Sequence, residues 1–269
     1  MATPIFCCGA ECGITTVGAA GSPAAPHWDA AAGTIAIETS AVRNGTRSYK
    51  FSPAGNTSYL AKAISGAPTV GVARFAIRFG SLPANNALLA AFTTSGSWCF
   101  LGFRASDNTI GVTTSTGFSP YTAGPVVSAN TWYVIDLKCD VTANPWLINW
   151  KVDGVAQTQL SASLAAKTFT NFRIGGNCDS ATTPTYDLYV DDIIVSATAA
   201  DYPFGRGKVL GYSPNADGTH SFNAAGDFKY NDSTNVATSA TDVYSYLDDA
   251  LNNITDFIAA SGVASGEYF

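Results

Sequence analysis

Between residues 34 and 196, apolar and polar residues alternate in short runs, and Gly, Pro, Asn, Asp or Ser separates each run from the next. A period of two sends successive side chains to opposite faces of an extended chain, so each run reads as a strand with one buried face. In "VARFAIRF" (72–79), Phe75, Ile77 and Phe79 take one face and Arg74 and Arg78 the other. "WYVIDLK" (132–138) sets Tyr133, Ile135 and Leu137 opposite Asp136 and Lys138. In "WLINWKVDGVAQTQ" (146–159), Trp146, Ile148, Trp150 and Val152 share a face, and Asp153 and Gly154 form a two-residue hairpin turn. "TIAIET" (34–39) and "FTNFRIGG" (169–176) extend the series, and Asn44 with Gly45 marks a turn before Tyr49 and Phe51. "ALLAAFT" (87–93) and "WCFLGFR" (98–104) are apolar on both faces and belong in the middle of a sheet. The series comes to about ten strands, which argues an all-β antiparallel sandwich or barrel.

Composition agrees. Charged residues make up 13% of the chain, and three residues are Glu, so the material for long exposed helices is missing. Fifteen Phe, twelve Tyr and five Trp suit strands. The net charge is −6 and the 14 Lys and Arg lie scattered. A phosphate-binding surface needs them clustered, so nucleic acid is not an expected partner. The start, "MATPIFCCGAECG", has neither a basic stretch nor a long apolar one, so no signal peptide is expected. No run of about 18 apolar residues predicts a membrane span.

The character changes near 197–208, and a boundary is placed at residue 202. Residues 1–202 form the sandwich. Residues 203–269 form a C-terminal hinge and docking segment, an incomplete second domain, whose thin core predicts a longer chain or a completing partner. "TSATDVYSYLDDALNN" (238–253) predicts a helix capped by Ser239 or Thr241, with Asp242 at the positive end of its dipole. Val243, Tyr246, Leu247 and Leu251 would share its buried face. A further β segment would start beyond it.

"YDLYVDDIIV" (186–195) carries the chain's most prominent acids, Asp191 and Asp192. On a regular strand neighbours diverge. Asp192 then joins the face of Tyr186, Leu188, Val190 and Ile194, and Asp191 that of Asp187, Tyr189 and Ile193. Two diverging carboxyls cannot flank one scissile bond, which needs them roughly 5–10 Å apart across a cleft. The expectation is scaffold: one acid accepts backbone amides of a neighbouring turn and the other faces water.

Other signatures give no site. Cys7, Cys8 and Cys12 lack a second downstream pair for zinc. Cys99, Cys139 and Cys178 read as small buried hydrophobes, and any disulfide pairing stays open. His27 and His220 read as turn residues. "FGRGK" (204–208) lacks phosphate-loop spacing. Sequons start at Asn44, Asn56, Asn231 and Asn253. Trp28, Trp98 and Trp146 are candidate sugar platforms, with core or rim packing as the plainer reading. No catalytic, cofactor-binding or metal-ligating residue is assigned, and a loop calcium ion is left open.

Taken in order, "WYVIDLK", "WKVDG", "FRIGG" and the closing "YDLYVDDIIV", with "RNGTRSYKFSPAG" before them, resemble the concanavalin A-like lectin/glucanase superfamily, its laminin-G-like branch above all, over about residues 5–197. The resemblance implies a two-sheet jelly-roll sandwich and a structural Asp-Asp in the closing strand. The Glu-x-Asp-x-x-Glu motif of sandwich-fold glucanases is absent, since Glu11, Glu38 and Glu267 stand far apart. Residues 202–250 resemble stretches that follow such domains in virion structural proteins of tailed bacteriophages.

That likeness implies a non-enzymatic virion surface protein: a head decoration, fibre or minor tail protein. It would be made in the host cytoplasm, present as a homo-oligomer or in many copies, docked on other virion proteins, and would bind host-surface glycans weakly. The alternatives are a stand-alone carbohydrate-binding lectin module and a glycoside hydrolase of the lectin/glucanase fold.

Overall fold

The computed structural model describes residues 6–8, 10, 28–54, 56–179 and 185–204. In chain order the strands are β1 (Phe6–Cys8), β2 (Ala30–Ala32), β3 (Ile35–Glu38), β4 (Ser48–Phe51), β5 (Ser58–Ala63), β6 (Val70–Phe79), β7 (Ala87–Thr93), β8 (Trp98–Arg104), β9 (Thr109–Thr113), β10 (Tyr121–Val126), β11 (Trp132–Asp140), β12 (Trp146–Val152), β13 (Val155–Ala156), β14 (Leu160–Ala162), β15 (Asn171–Asn177) and β16 (Leu188–Ser196). They pair into two antiparallel sheets. The first runs β13-β12-β11-β6-β16-β4-β3, with β1 also on β16 and β14 also on β12. The second runs β10-β9-β8-β7-β15-β5-β2. The fold is a two-sheet antiparallel sandwich.

The alternation read from the sequence decides what lies between the sheets. Phe75, Ile77 and Phe79 of β6, Ile135 and Leu137 of β11, and Trp146, Ile148 and Trp150 of β12 all enter one core cluster. They meet Phe92, Leu101, Phe103, Phe172 and Ile174 from the second sheet. Rings cross the gap: Phe75 and Phe172 lie 6.1 Å apart, and Phe79 and Phe103 5.4 Å apart. Burying each such side chain contributes roughly 1.5–3 kcal/mol. The hairpin at Asp153 and Gly154 forms with both residues left-handed, at φ 50° and 81°, and Val152 faces Val155 across it.

Among the described residues sixteen strands form, where the sequence pattern marks about ten. The additional ones are short or weakly patterned. β9 carries Gly111 at its centre, and β10 contains Gly124 and Pro125. Pro125 is tolerated because β10 is the edge of its sheet, where a missing N–H costs little. β7 and β8 do lie inside their sheet, and their outer faces are buried as well: Leu88, Ala91, Phe100, Phe118 and Cys178 form a second cluster outside the main core.

After β16 the chain makes one 3-10 turn, Ala199–Asp201, which packs on β6. The expected helix over 238–253, its caps and the hinge at 205–208 lie outside the described residues, as do Cys12, His27 and His220.

Candidate functional site

β16 does not keep a period of two. Leu188 and Val190 face the core, and so do Ile193 and Val195. The switch occurs at a bulge: Asp191 pairs with Ala76 of β6, but Ile194 pairs with Arg74, so β16 holds one extra residue. Asp192 takes a left-handed φ of 54°, and Asp191 accepts the Asp192 backbone N–H at 2.8 Å. This corrects the expectation that the two acids diverge. Both are buried, at 1% and 2% exposure, and both reach the loop between β3 and β4.

Asp191 Oδ2 accepts the backbone N–H groups of Arg43 at 3.1 Å and Asn44 at 3.2 Å. Asp192 Oδ2 accepts the Asn44 side-chain amide at 2.5 Å and pairs with the Arg43 guanidinium. Asp191 thus fills the amide-accepting role expected of one acid, while Asp192 is ion-paired instead of solvated. Burial pushes the Asp191 carboxyl up to about 7, with the Asp192 charge adding to it and the loop and Asp192 amides pulling it back. The pair clasps a loop at the point where the outer neighbour of β16 changes from β4 to β1.

A second buried charge pair lies on the outward side of β6 and β11. Arg74 Nη1 stands 3.5 Å from Asp136 Oδ1, with side chains 8% and 4% exposed. Burial pushes the Asp136 carboxyl up, against the pull of Arg74 and of the Phe204 backbone N–H.

The tryptophan candidates separate. Trp28 is buried and donates its Nε1–H to Tyr49 Oη at 3.0 Å. Trp146 is buried and donates to the Ala165 carbonyl at 2.8 Å. Trp98 lies on the outer face of the second sheet and is partly exposed. Cys8, Cys99, Cys139 and Cys178 are buried, and Cys8 Sγ lies 3.1 Å from the Tyr49 hydroxyl. Glu38 turns back on its own loop and accepts the Thr39 and Ser40 backbone N–H groups. Among the described residues no three His, Cys, Asp or Glu side chains converge on a metal position.

The outer face of the second sheet carries a set of partly exposed rings. Tyr59 of β5, Trp98 of β8 and Tyr121 of β10 pack on the second cluster. Trp98 stacks on Phe100 at 5.2 Å, and Phe118 meets Tyr121 at 5.4 Å. Glycines let these rings lie flat on the strands: a Cβ at Gly102 would sit 2.7 Å from the Phe118 ring, and one at Gly111 2.5 Å from the Tyr121 ring. Two arginines join them. The Arg104 guanidinium lies 4.3 Å from the Tyr121 ring centre and is paired with Asp107. The Arg173 guanidinium lies 4.5 Å from both the Tyr59 and the Trp98 ring centres. Of this face, sequence reading identified Trp98 alone. Tyr59, Tyr121 and Arg173 come from strands whose order in the sheet no local pattern reveals.

No protein-family model and no curated protein matches the sequence. Among solved structures the chain is similar to Trypanosoma rangeli sialidase in complex with the inhibitor DANA, at 13% identity and a TM-score of 0.44, over 61% of this chain and 27% of that one. It is similar to the receptor binding domain of botulinum neurotoxin C/D mosaic serotype, at 12% identity and a TM-score of 0.44, over 63% and 42%. It is also similar to botulinum neurotoxin type C, described as dependent on interaction with two ganglioside molecules for cell entry, at 10% identity and a TM-score of 0.46, over 63% and 42%. The chain therefore spans between 27% and 42% of the length of these structures. At such identities no residue role passes from them to this chain.

Proposed function

We propose that the sandwich is a non-catalytic carbohydrate-binding module, and that it binds through the outer face of its second sheet. The observation that supports this is the array of Tyr59, Trp98, Tyr121 and Arg173, partly exposed above a buried apolar layer. Rings held by packing offer flat apolar area with a polar edge at little entropic cost, which suits the faces of a sugar. The acid pair of β16 is engaged with Arg43 and Asn44, so neither of its carboxylates is offered to a glycosidic bond.

Single-site binding would be weak, and affinity would come from many copies. The likeness of residues 202–250 to phage structural proteins extends the proposal to a virion surface, reached from the host cytoplasm, with the segment after residue 202 docking on neighbouring virion proteins. That setting rests on the sequence likeness alone, and the module reading is favoured on the strength of the sheet face.

A glycan array probed with the full chain tests the module. Trp98→Ala and Tyr59→Ala should abolish binding, while Tyr189→Ala, on the outer face of the other sheet, should leave it unchanged. Binding indifferent to Trp98 and Tyr59, or release of reducing ends from bacterial polysaccharide, would overturn the reading. Mass spectrometry of purified phage particles tests the virion setting.

A further inference from the structure

We infer that the ligand of this face is an acidic glycan and that Arg173 receives its carboxylate, an inference that rests on the carbohydrate-binding reading above. Arg173 sits in β15 between Ala91 of β7 and Ala61 of β5, its cross-strand partners. These small neighbours leave room for the guanidinium to lie between the rings of Tyr59 and Trp98, 4.5 Å from each centre. Its Nη1 donates to the Cys178 carbonyl at 3.3 Å. Its Nε is enclosed and has no partner. Among the described residues no carboxylate lies within ion-pair distance of it.

Arg104, the other arginine of the face, is neutralised by Asp107, as Arg43 is by Asp192 and Arg74 by Asp136. Arg173 is therefore an oriented planar cation that has no ion-paired carboxylate among the described residues, in a chain of net charge −6. Held between two rings, it loses little further freedom when it binds, and its planar fork of donors matches a carboxylate. Nη2, which makes no bond to another described residue, is the donor available to it. The flanking rings would take the apolar face of the same sugar or its neighbour.

Calorimetry of the full chain with sugar pairs that differ only at the acid group tests the inference. The probes are tetragalacturonate and its carboxyl-reduced form, and sialyllactose and its carboxyl-reduced form. The acidic member of a pair should bind about tenfold or more tightly, and added salt should weaken that member alone. Arg173→Gln should remove the preference for the acidic member, so that the ratio of the two affinities falls to about one. Arg173→Lys, which keeps charge without the fork, should fall between.

Equal binding of both members by the native chain would overturn the inference and leave the module reading standing. Binding to no sugar of either pair would overturn both. If Arg173→Gln weakened both members alike, with native circular dichroism retained, Arg173 would be a support for the rings and the inference would fall. The native-chain comparison of acid and reduced sugar needs no variant to fold.

Discussion

Asn44 donates its side-chain amide to Asp192 at 2.5 Å and its backbone N–H to Asp191 at 3.2 Å, so consecutive carboxylates of one strand hold a single loop residue. On a regular strand this is impossible, because neighbouring side chains diverge. The extra residue in β16 and the left-handed turn at Asp192 bring both acids to the same loop.

Removing one clasp should loosen the sandwich. Asp191→Ala leaves the Arg43 and Asn44 amides without their acceptor, and the expected loss is about 2–4 kcal/mol. Asp191→Asn keeps an oxygen in place and removes a charge beside Asp192, so its cost should stay under about 1.5 kcal/mol. Urea midpoints at constant slope report both. Equal losses for the two variants would mean that these amides do not depend on the Asp191 oxygen.

The same residue predicts a pH dependence. Its carboxyl is raised from an ordinary 3.8 to about 7 in the folded protein. Between those values the native state holds a proton that the unfolded chain has released, so the native state binds more protons there. The contribution of Asp191 to stability is therefore full below 3.8, declines as pH rises toward about 7, and is level above that. Asp107, held at about 2 by its hydrogen bond to Arg104 with further help from Thr109, works with the opposite sign. The measurement is thus the difference in unfolding free energy between the native chain and Asp191→Asn at several pH values. That difference should shift against the native chain as pH rises, and a flat difference would contradict the prediction.

Arg74 and Asp136 form a buried pair in which Arg74 Nε and Asp136 Oδ1 lack hydrogen-bond partners. Asp136→Ala strands a buried cation, and its expected cost is about 3–5 kcal/mol. The double replacement Arg74→Met with Asp136→Leu should be neutral or stabilising, because both desolvation penalties vanish together. Thermal unfolding of the two variants gives the comparison, and a double variant as unstable as the single one would refute it.

Gly111 lies under the Tyr121 ring. A Cβ there would stand 2.4 Å from the Thr122 carbonyl oxygen as well as 2.5 Å from the ring. Gly111→Ala should cost about 1–3 kcal/mol and displace Tyr121. Gly117→Ala meets nothing nearer than the Ser115 hydroxyl at 3.6 Å and serves as the neutral control. Tyr121 fluorescence is masked by tryptophan, so near-ultraviolet dichroism and thermal midpoints are the readouts.

The inner faces of β6, β11 and β12 were legible because each carries large apolar residues at alternate positions. The Asp153 and Gly154 hairpin was legible because two successive left-handed residues demand that chemistry. β10 was not, since its Gly124 and Pro125 carry the signature of a turn and are tolerated only at a sheet edge. The candidate face was legible at Trp98 alone, because Tyr59, Trp98 and Arg173 become neighbours only through the order β8-β7-β15-β5.

Local pattern determined, from residues adjacent in the chain, which segments extend, which side chains turn inward and that two apolar faces must close on each other. Tertiary structure alone decided which strands lie side by side, and with them the arginine between two rings and the fate of the two acids. The physical reason is range. Alternation and turn chemistry act over a few residues, whereas strand order, a one-residue bulge and the partner of a buried charge are set by groups such as Asn44 and Asp192, far apart in sequence and 2.5 Å apart in space.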